Sequence, residues 1–513
     1  MNSIVEVITN VNNAVNDFVW VKLGLILLIG TGVLMTVLTK VFQVTHFGHW
    51  MKQTIGSIFH KNVSAHSKEK ESISQFQALC TALAATVGVG NIAGVASAIA
   101  LGGPGSILWM WIAAFFGMMT NFSENVLGIY YRRKNKNGEW TGGAMYYLQD
   151  GLGSKKGCKT LGKVLAVIFS VCCLLASFGI GNLSQCNSIV TNFTSVFKNE
   201  YLESITLGGS NLYVFLVGIV VMIFVALVVI GGIKRIANVT EKIVPFMIIA
   251  YILGAFVIIF SNAANIGPAI ASIFKFAFGT KAVAGGVAGI VIKDVVTWGF
   301  KRGVFSNEAG LGSSVMVHSA SNVKEPVRQG MWGIFEVFAD TIIVCTITAL
   351  VILTSGLVDL STGAMNTAAE KTVLVSEAFS GTFGSFGGVF IAIAILLFAF
   401  STILGWSYYG TKAWEYLFGT KSTIIYKIVF VLVVAGGTLL SSSLAWDISD
   451  TFNGMMMLPN LIGVIALSGT VGKITKNYID RKLKHKKDVT PILSYDEKLN
   501  SEQFAKIKAD GEE

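Results

Sequence analysis

The chain has 513 residues, of which 53% are hydrophobic and 13% are charged, with a formal net charge of +10. A soluble domain carries about 25% charged residues, so this composition excludes a globular enzyme with one anchor and favours a polytopic membrane protein. The basic residues lie in the connections and the C-terminal tail, where membrane topology needs them, which argues against nucleic acid as a partner.

The sequence lacks the motifs of the common enzyme and metal sites. It contains neither the phosphate-binding pattern G-x-x-x-x-G-K-[ST] nor the zinc pattern H-E-x-x-H, and its six histidines are scattered. Its six cysteines show no spacing typical of zinc or of a disulfide framework. We therefore expect no enzyme and no organic cofactor. Residues 1–17 have no basic start, so we expect no cleavable signal peptide.

Eleven apolar segments predict membrane-spanning helices. They lie at 18–42, 75–101, 106–131, 161–197, 212–231, 243–261, 285–318 (interrupted), 328–355, 384–418, 424–440 and 448–470. With eleven spans, the basic stretches 43–70, 132–159, 234–235, 324–328 and 473–487 all fall on one side. Because basic loops stay in the cytoplasm, we expect the N-terminus outside and the C-terminus inside the cell membrane.

The second predicted span contains a glycine-rich break at Ala85-Thr86-Val87-Gly88-Val89-Gly90-Asn91-Ile92-Ala93-Gly94. Glycine is a poor helix former and leaves backbone groups open to other partners. In hydrocarbon such backbone is tolerated only where it faces a cavity or packed protein. We therefore predict a helix that is interrupted at mid-membrane.

A second break is predicted at 305–312, where the Asn-x-Ala-Gly pattern of Asn91 recurs 216 positions later at Asn307. Once the first span is set aside, ten spans remain, and each break lies in the first helix of a group of five. An odd number of spans per repeat forces the two halves into opposite orientations. This is the inverted 5+5 repeat of the leucine-transporter-like fold, and it indicates a secondary transporter.

The predicted layout follows from these spans. It comprises an extracellular N-terminus (1–17), an extra transmembrane helix (18–42), a cytoplasmic loop (43–74), two five-helix repeats (75–261 and 262–470) and a basic cytoplasmic tail (471–513). We expect the basic part of the tail to lie near anionic lipid.

Several ordered motifs resemble a known family. They are TVGVGNIAG at 86–94, GGPG at 102–105, TGGAMYY at 141–147, SNEAGLG at 306–312 and FAFSTILGWSYYG at 398–410. From about residue 15 to 475 the chain resembles the alanine/glycine:cation symporters, also called the sodium:alanine symporter family. The resemblance implies sodium-coupled uptake of alanine or glycine, in a bacterial inner membrane, on the leucine-transporter-like fold.

A small amino acid needs partners for its carboxylate, its ammonium group and its side chain. The free amides of a half-helix that begins near Val89 suit the carboxylate, and freed carbonyls near the breaks suit the ammonium. Aromatic side chains would wall a small pocket, although each of them is also explained by core packing. The predicted substrate-binding residues are Thr86, Val89, Gly90, Phe178, Asn182, Gln185, Phe305, Ser306 and Trp406.

Two sodium sites are expected by analogy with the fold. One would join Thr86 and Asn91 with Ser306 or Asn307. The other would join carbonyls near Ala85 and Gly88 with the hydroxyls of Ser401 and Thr402, although a helical hydroxyl often bonds only the preceding turn. The predicted sodium ligands are Ala85, Thr86, Gly88, Asn91, Asn307, Ser401 and Thr402.

Acidic residues inside predicted spans keep alternatives open, because a charge in the membrane marks function by default. Glu336 and Asp340 are four residues apart on one helical face and would suit proton coupling. Asp294 and Glu308 lie near Lys301 and Arg302 in sequence, where gating or structural ion pairs are expected. The rival functions are a proton-coupled symporter, an ion channel and an amino-acid sensor with little transport. The oligomeric state is left open.

Overall fold

The computed structural model describes residues 2–59, 63, 72–207, 210–278, 292–369, 371–438 and 442–509, and this part of the chain is mostly helical. The longer helices are α1 (Thr9–Leu38, the apolar part of a helix that begins at Asn2), α2 (Gln75–Thr86), α3 (Gly90–Gly102), α4 (Ser106–Tyr130), α5 (Lys159–Val196), α6 (Leu212–Val229), α7 (Gly232–Ser261), α8 (Ile266–Ala277), α9 (Ile292–Asn307), α10 (Pro326–Thr354), α11 (Lys371–Phe383), α12 (Ser385–Phe418), α13 (Thr423–Gly436), α14 (Ser442–Ala466), α15 (Ser468–Leu483) and α16 (Glu497–Ala509). Shorter helices cover Phe42–Thr45, Phe47–Gln53, Ala144–Tyr146, Glu200–Ser204 and Val315–His318.

The described residues also form two short antiparallel hairpins. The first pairs β1 (Arg133–Lys134) with β2 (Trp140–Thr141), and the second pairs β3 (Thr206–Leu207) with β4 (Ser210–Asn211).

Seven helices within the described ranges are long and apolar enough to cross a bilayer, and there are nine if each bent pair is one span. The seven are α1, α4, α5, α6, α7, α10 and α12, and the bent pairs are α2 with α3 and α14 with α15. The predicted count of eleven also includes α9 and α13, which have only 16 and 14 residues. The predicted seventh span begins inside 279–291, outside the described residues. The helices indicate a multi-pass membrane protein, and the count of eleven stays a prediction.

The boundaries of α2 and α3 follow from local chemistry. At the start of α2, the Ser74 hydroxyl accepts from the Gln77 amide and the Gln77 side chain accepts from the Ser74 amide, both at 3.1 Å. This capping box satisfies two amides that a helix start leaves open. At the other end, Gly103 adopts a left-handed φ of 73°, which glycine reaches without strain. It produces the predicted turn between α3 and α4.

Burial separates central helices from peripheral ones. In the most apolar stretches of α4 and α10, 61% and 67% of residues are buried, against 22% in α6 and 33% in α7. Exposed large apolar side chains line α6 and α7, as a lipid-facing surface requires. They include Val220, Phe224, Leu227, Phe246, Leu253 and Phe260. The residues of the glycine-rich break, 87–94, are all buried, and the preceding α2 packs on the central α12 and on the inner face of α7.

The C-terminal tail folds back onto the protein. Both carboxylate oxygens of Glu325 accept from the Arg481 guanidinium at 2.9 Å, and this pair is about 90% buried. The Tyr495 amide donates to the Tyr130 carbonyl at 3.1 Å, and Ile507 on α16 is buried. Arg481, which we expected to lie near lipid headgroups, instead binds a carboxylate of the protein itself.

Candidate functional site

The predicted break in the second span is present between α2 and α3, whose axes differ by 49°. At Val87 the backbone leaves the helical region, with φ −78° and ψ 82°. The Gly88 amide then donates to the Asn91 side-chain oxygen at 2.9 Å, so this asparagine stabilises the non-helical turn. The amides of Val89 and Gly90 have no acceptor among the described residues. They are two unpaired donors within a fully buried segment of the described chain.

The predicted second break lies directly after α9, which ends at Asn307. Glu308 adopts a left-handed φ of 56°, which is rare for a residue other than glycine, and Gly310 and Gly312 follow with φ of 91° and 72°. The Asn307 side-chain oxygen accepts from the Ala309 amide at 3.0 Å and supports this turn. The chain becomes helical again at Val315–His318.

The two breaks lie side by side. A methyl group placed on Gly90 would lie 3.4 Å from the Phe305 ring and 3.5 Å from the Ser306 Cα. Gly90 therefore brings the backbone of α3 into contact with the end of α9, and a set of predicted residues from both halves of the chain meets there.

Asp340 on α10 joins the two breaks. The Asn91 side-chain amide donates to the Asp340 carboxylate at 2.6 Å. The second carboxylate oxygen accepts from Thr341 at 2.8 Å, and the Thr341 hydroxyl in turn accepts from the Asn307 side chain at 3.0 Å. The Ser306 hydroxyl also interacts with this carboxylate. Asp340 thus contacts both asparagines of the repeated pattern, directly or through one residue.

The sequence did not identify Asp340 as part of this cluster. Its segment, Phe338–Cys345, is a π-helical stretch, which has more residues per turn than an α-helix. This widening changes which side chains share a face, and no sequence pattern signalled it. The one signal in the sequence that could have identified Asp340 was an acidic residue inside a predicted span, four residues after Glu336.

Thr402 on α12 approaches the first break from the opposite side. Its hydroxyl donates to the carbonyls of Ala84 and Phe398, both at 3.0 Å. A methyl group on Gly88 would lie only 2.3 Å from this hydroxyl oxygen. The hydroxyl of Ser401 instead contacts the Phe398 carbonyl and the Met247 sulfur, on the side of α7. The structure therefore brings Thr402, but not the Ser401 hydroxyl, to the break.

Of the predicted residues on α5, Asn182 lies next to the contact with Trp406 on α12, whereas Phe178 packs against α13. A methyl group on Gly181 would lie 2.3 Å from the Trp406 Cβ, so this part of α5 packs tightly on α12. The neighbouring Asn182 side chain donates to the Phe430 carbonyl at 2.7 Å. Phe178 packs against the rings of Tyr426 and Phe430 at 5.5 and 6.0 Å and has no described contact with either break.

Two buried acceptors on α5 remain open. The side-chain oxygens of Asn182 and Gln185 have no hydrogen-bond partner among the described residues, although both side chains are buried. Unpaired buried polar atoms cost free energy, so such atoms call for a ligand or a water molecule. The indole of Trp406, which packs beside Gly181, faces the Glu308 carboxylate near the second break.

The two acids of the predicted proton pathway have different partners. Glu336 accepts from His318 at 2.9 Å and from Asn121 at 3.4 Å, whereas Asp340 binds Asn91 and Thr341. The predicted neighbours Lys301 and Arg302 likewise pair elsewhere. They contact Asp450 on α14 at 2.8 and 3.7 Å, because α9 and α14 pack at that level and sequence proximity does not decide the pairing.

Comparison with known proteins agrees with this architecture. Residues 5–492 match the model of the sodium:alanine symporter family. The chain is 45% identical to the sodium/alanine symporter AgcS of Methanococcus maripaludis over 91% of this chain and 96% of that protein. It is 35% identical to the probable sodium/glutamine symporter GlnT of Bacillus subtilis, over 93% and 92% of the two chains.

A solved structure gives the same fold. The crystal structure of MhsT in complex with L-phenylalanine superposes with a TM-score of 0.54 at 13% identity, covering 79% of this chain and 99% of that one. At this identity the likeness shows the leucine-transporter-like fold and says nothing about the ligand. The family is one of symporters and not of enzymes, and the chain belongs to the sodium:alanine symporter family.

Proposed function

We propose that this protein is a sodium-coupled symporter that takes up a small neutral amino acid, alanine or glycine, by alternating access. The observation that carries the proposal is the pair of open amides at Val89 and Gly90, which lie beside the second break at Phe305 and Ser306. The named activities of AgcS and GlnT support an amino acid and sodium as the transported pair.

The substrate carboxylate would bind the amides of Val89 and Gly90. Unpaired amides at the start of a helix attract an anion, and the aligned peptide dipoles of α3 add to this attraction. Thr86 is the last residue of the half-helix before the break and would supply its hydroxyl to the same site. Residue 90 is glycine, so no side chain lies between the Val89 and Gly90 amides and the end of α9.

The substrate ammonium would donate to buried acceptors. The open side-chain oxygens of Asn182 and Gln185 provide two, and the loosened backbone near Phe305 and Ser306 provides carbonyls. Phe305 and Trp406 would wall the pocket and limit the side chain to a methyl group or a hydrogen. Phe178 has a weaker claim, since its described contacts are with the rings of Tyr426 and Phe430.

Sodium would bind oxygen atoms at the breaks, as in transporters with discontinuous helices. One site would combine Thr86, Asn91 and Asn307 with the Asp340 carboxylate, which already contacts Asn91. A second site would combine carbonyls near Ala85 and Gly88 with Thr402, and Ser401 would join it only if its hydroxyl turned away from Met247. A carboxylate shared by both breaks would link sodium binding to their relative position.

The proposed topology is the one that the sequence predicts. Eleven spans form an extra helix and a 5+5 inverted repeat in the cell membrane, with the N-terminus outside and the C-terminus in the cytoplasm. The basic connections support this orientation. Rocking of the two halves would expose the shared site to each side in turn.

Proton coupling is the second candidate, because two buried acids lie near the site. Asp340 on α10 contacts the first break through Asn91. Glu336, on the same helix, forms a buried pair with His318 at 2.9 Å. We prefer sodium as the coupling ion, because both breaks provide backbone and side-chain oxygen atoms of the kind that sodium binds.

The test is equilibrium binding of labelled alanine to purified protein in sodium chloride or in choline chloride of equal ionic strength. The proposal predicts saturable binding in sodium that glycine displaces and glutamine displaces poorly. Binding that is equal in both salts, and that strengthens at low pH, would favour the proton-coupled alternative instead.

A further inference from the structure

A polar cavity of about 130 Å³ lies away from the breaks, between α12, the start of α7, the start of α13 and the first hairpin. A single water molecule needs about 10–15 Å³ of such space, so the cavity has room for a molecule of several non-hydrogen atoms. Its charged lining consists of two lysines and two glutamates: Glu139, Lys412, Glu415 and Lys427. The lining charges therefore balance to zero, which suits a zwitterion better than an ion of one sign.

Lys412 is built into the wall of this cavity. Its side chain is 3% exposed and its ammonium nitrogen donates to Glu415 at 2.8 Å. The ammonium also lies 5.5 Å above the Tyr408 ring. Burying a lysine is costly unless the charge is paired, so Glu415 neutralises it and the pair forms a fixed polar wall.

The second lysine of the lining is Lys427, on α13. Lys427 is half-buried, lines the cavity and has no hydrogen-bond or ion-pair partner among the described residues. Its ammonium nitrogen lies 3.8 Å from the position of a methyl group on Gly232, a residue with a left-handed φ of 72°. The absence of a side chain at Gly232 leaves space in front of this ammonium group.

The carboxylate of Glu139 also lines the cavity and could accept a positively charged group. Glu139 is 39% exposed and its carboxylate is 4.0 Å from the Lys412 nitrogen, longer than a strong charge-assisted bond. Asn135 donates to Glu139 at 3.1 Å and to Glu415 at 3.0 Å, which holds the two carboxylates at one side of the cavity.

The position along α12 relates this cavity to the central site. Thr402 touches the first break and Lys412 lines the cavity, and ten residues of α-helix span about 15 Å. In the proposed topology, the first hairpin and the connections before α7 and α13 all lie on the cytoplasmic side. The cavity then lies between the central site and the cytoplasm.

We propose that this cavity is a second site for the transported zwitterionic amino acid on its way to the cytoplasm, with the carboxylate on Lys427 and the ammonium on Glu139. The inference rests on the proposed function, since it takes the same substrate class. Lys412 and Glu415 would be positioning residues that fix the charge of the wall and do not themselves need to bind.

The experiment compares right-side-out and inside-out membrane vesicles from cells that express the full chain. Lys427→Met should raise the KM for alanine presented on the cytoplasmic face about tenfold, as expected for the loss of one charge-assisted contact, and leave the external KM within about twofold. Glu139→Gln should give the same one-sided shift. It changes a partly exposed residue of the first hairpin, so it serves as the second variant if Lys427→Met fails to fold. Lys421→Gln, an exposed lysine on the same connection, is the matched control.

Two results would overturn the inference. If both KM values move together, or if neither moves, in folded Lys427→Met and Glu139→Gln proteins, the cavity does not bind substrate while the central site still does. If wild-type vesicles of both orientations show no sodium-dependent alanine flux, the proposed function fails together with the second site.

Discussion

Gly88 lies in the first break, directly beside Thr402 on α12. Its missing side chain lets the Thr402 hydroxyl reach the Ala84 carbonyl, and even a methyl group would overlap this oxygen at 2.3 Å. The requirement for glycine here is therefore steric.

Gly88→Ala should abolish most alanine transport and leave a folded protein. Inserting a methyl group into a packed site costs about 1–3 kcal/mol, and here the shift falls on the sodium and substrate ligands. Initial uptake rates in proteoliposomes would measure the loss. Gly30→Ala on α1, where a methyl group meets nothing within 4 Å, is the control and should transport normally.

Thr402→Val keeps the side-chain volume and removes the hydroxyl. If Thr402 is a sodium ligand, the sodium concentration for half-maximal uptake should rise at least about tenfold, the equivalent of about 1.4 kcal/mol. Thr194→Val is the control, because the hydroxyl of Thr194, among the described residues, bonds only carbonyls of its own helix. An unchanged sodium dependence in Thr402→Val would remove this residue from the site.

Asp340→Asn distinguishes the two coupling ions. Loss of the carboxylate should weaken sodium activation about tenfold or more if Asp340 binds the ion. Uptake measured against sodium concentration at several pH values provides the data. Glu336→Gln, which alters the His318 pair instead, should keep the sodium dependence; if it alone makes uptake independent of pH, a proton takes part.

At the scale of the helix, the sequence predicted the breaks and much of their surroundings but not the contacts within them. Glycine content and the repeated Asn-x-Ala-Gly pattern located both breaks, since poor helix formers act locally. The π-helical stretch that carries Asp340 and the pairing of Lys301 with Asp450 depend on how distant helices pack. Such contacts leave no periodic signal in one sequence.

The tail shows the same limit. Its basic composition predicted an association with lipid, and Arg481 alone could not reveal that Glu325, 156 positions away, is its partner. Composition reports charge, whereas the docking of α15 and α16 depends on a complementary surface elsewhere in the chain.

Arg481→Ala should destabilise the folded protein, because it leaves Glu325 buried without a counter-charge. Removing one partner of a buried ion pair costs about 3–5 kcal/mol, so thermal unfolding should begin several degrees lower. Lys484→Ala is the control, since this lysine is 61% exposed in its pair with Asp480 and should barely change the unfolding temperature. Equal stability of Arg481→Ala and wild type would show that the tail docking contributes little.

At the scale of the whole molecule, the family and fold are established and the repeat arrangement is proposed. The two breaks lie in contact although their asparagines are 216 positions apart, which is consistent with the proposed inverted repeat. A channel would need weak binding in a pore, commonly one formed by several copies, whereas here buried polar side chains of both breaks meet within one chain.

The most direct test of the central claim is uptake of labelled alanine into proteoliposomes, first under an inward sodium gradient and then under an equal potassium gradient. We predict accumulation above the external concentration with sodium only. Accumulation driven by a pH gradient without sodium would contradict sodium coupling, and alanine binding without flux would show that the protein is a sensor and not a transporter.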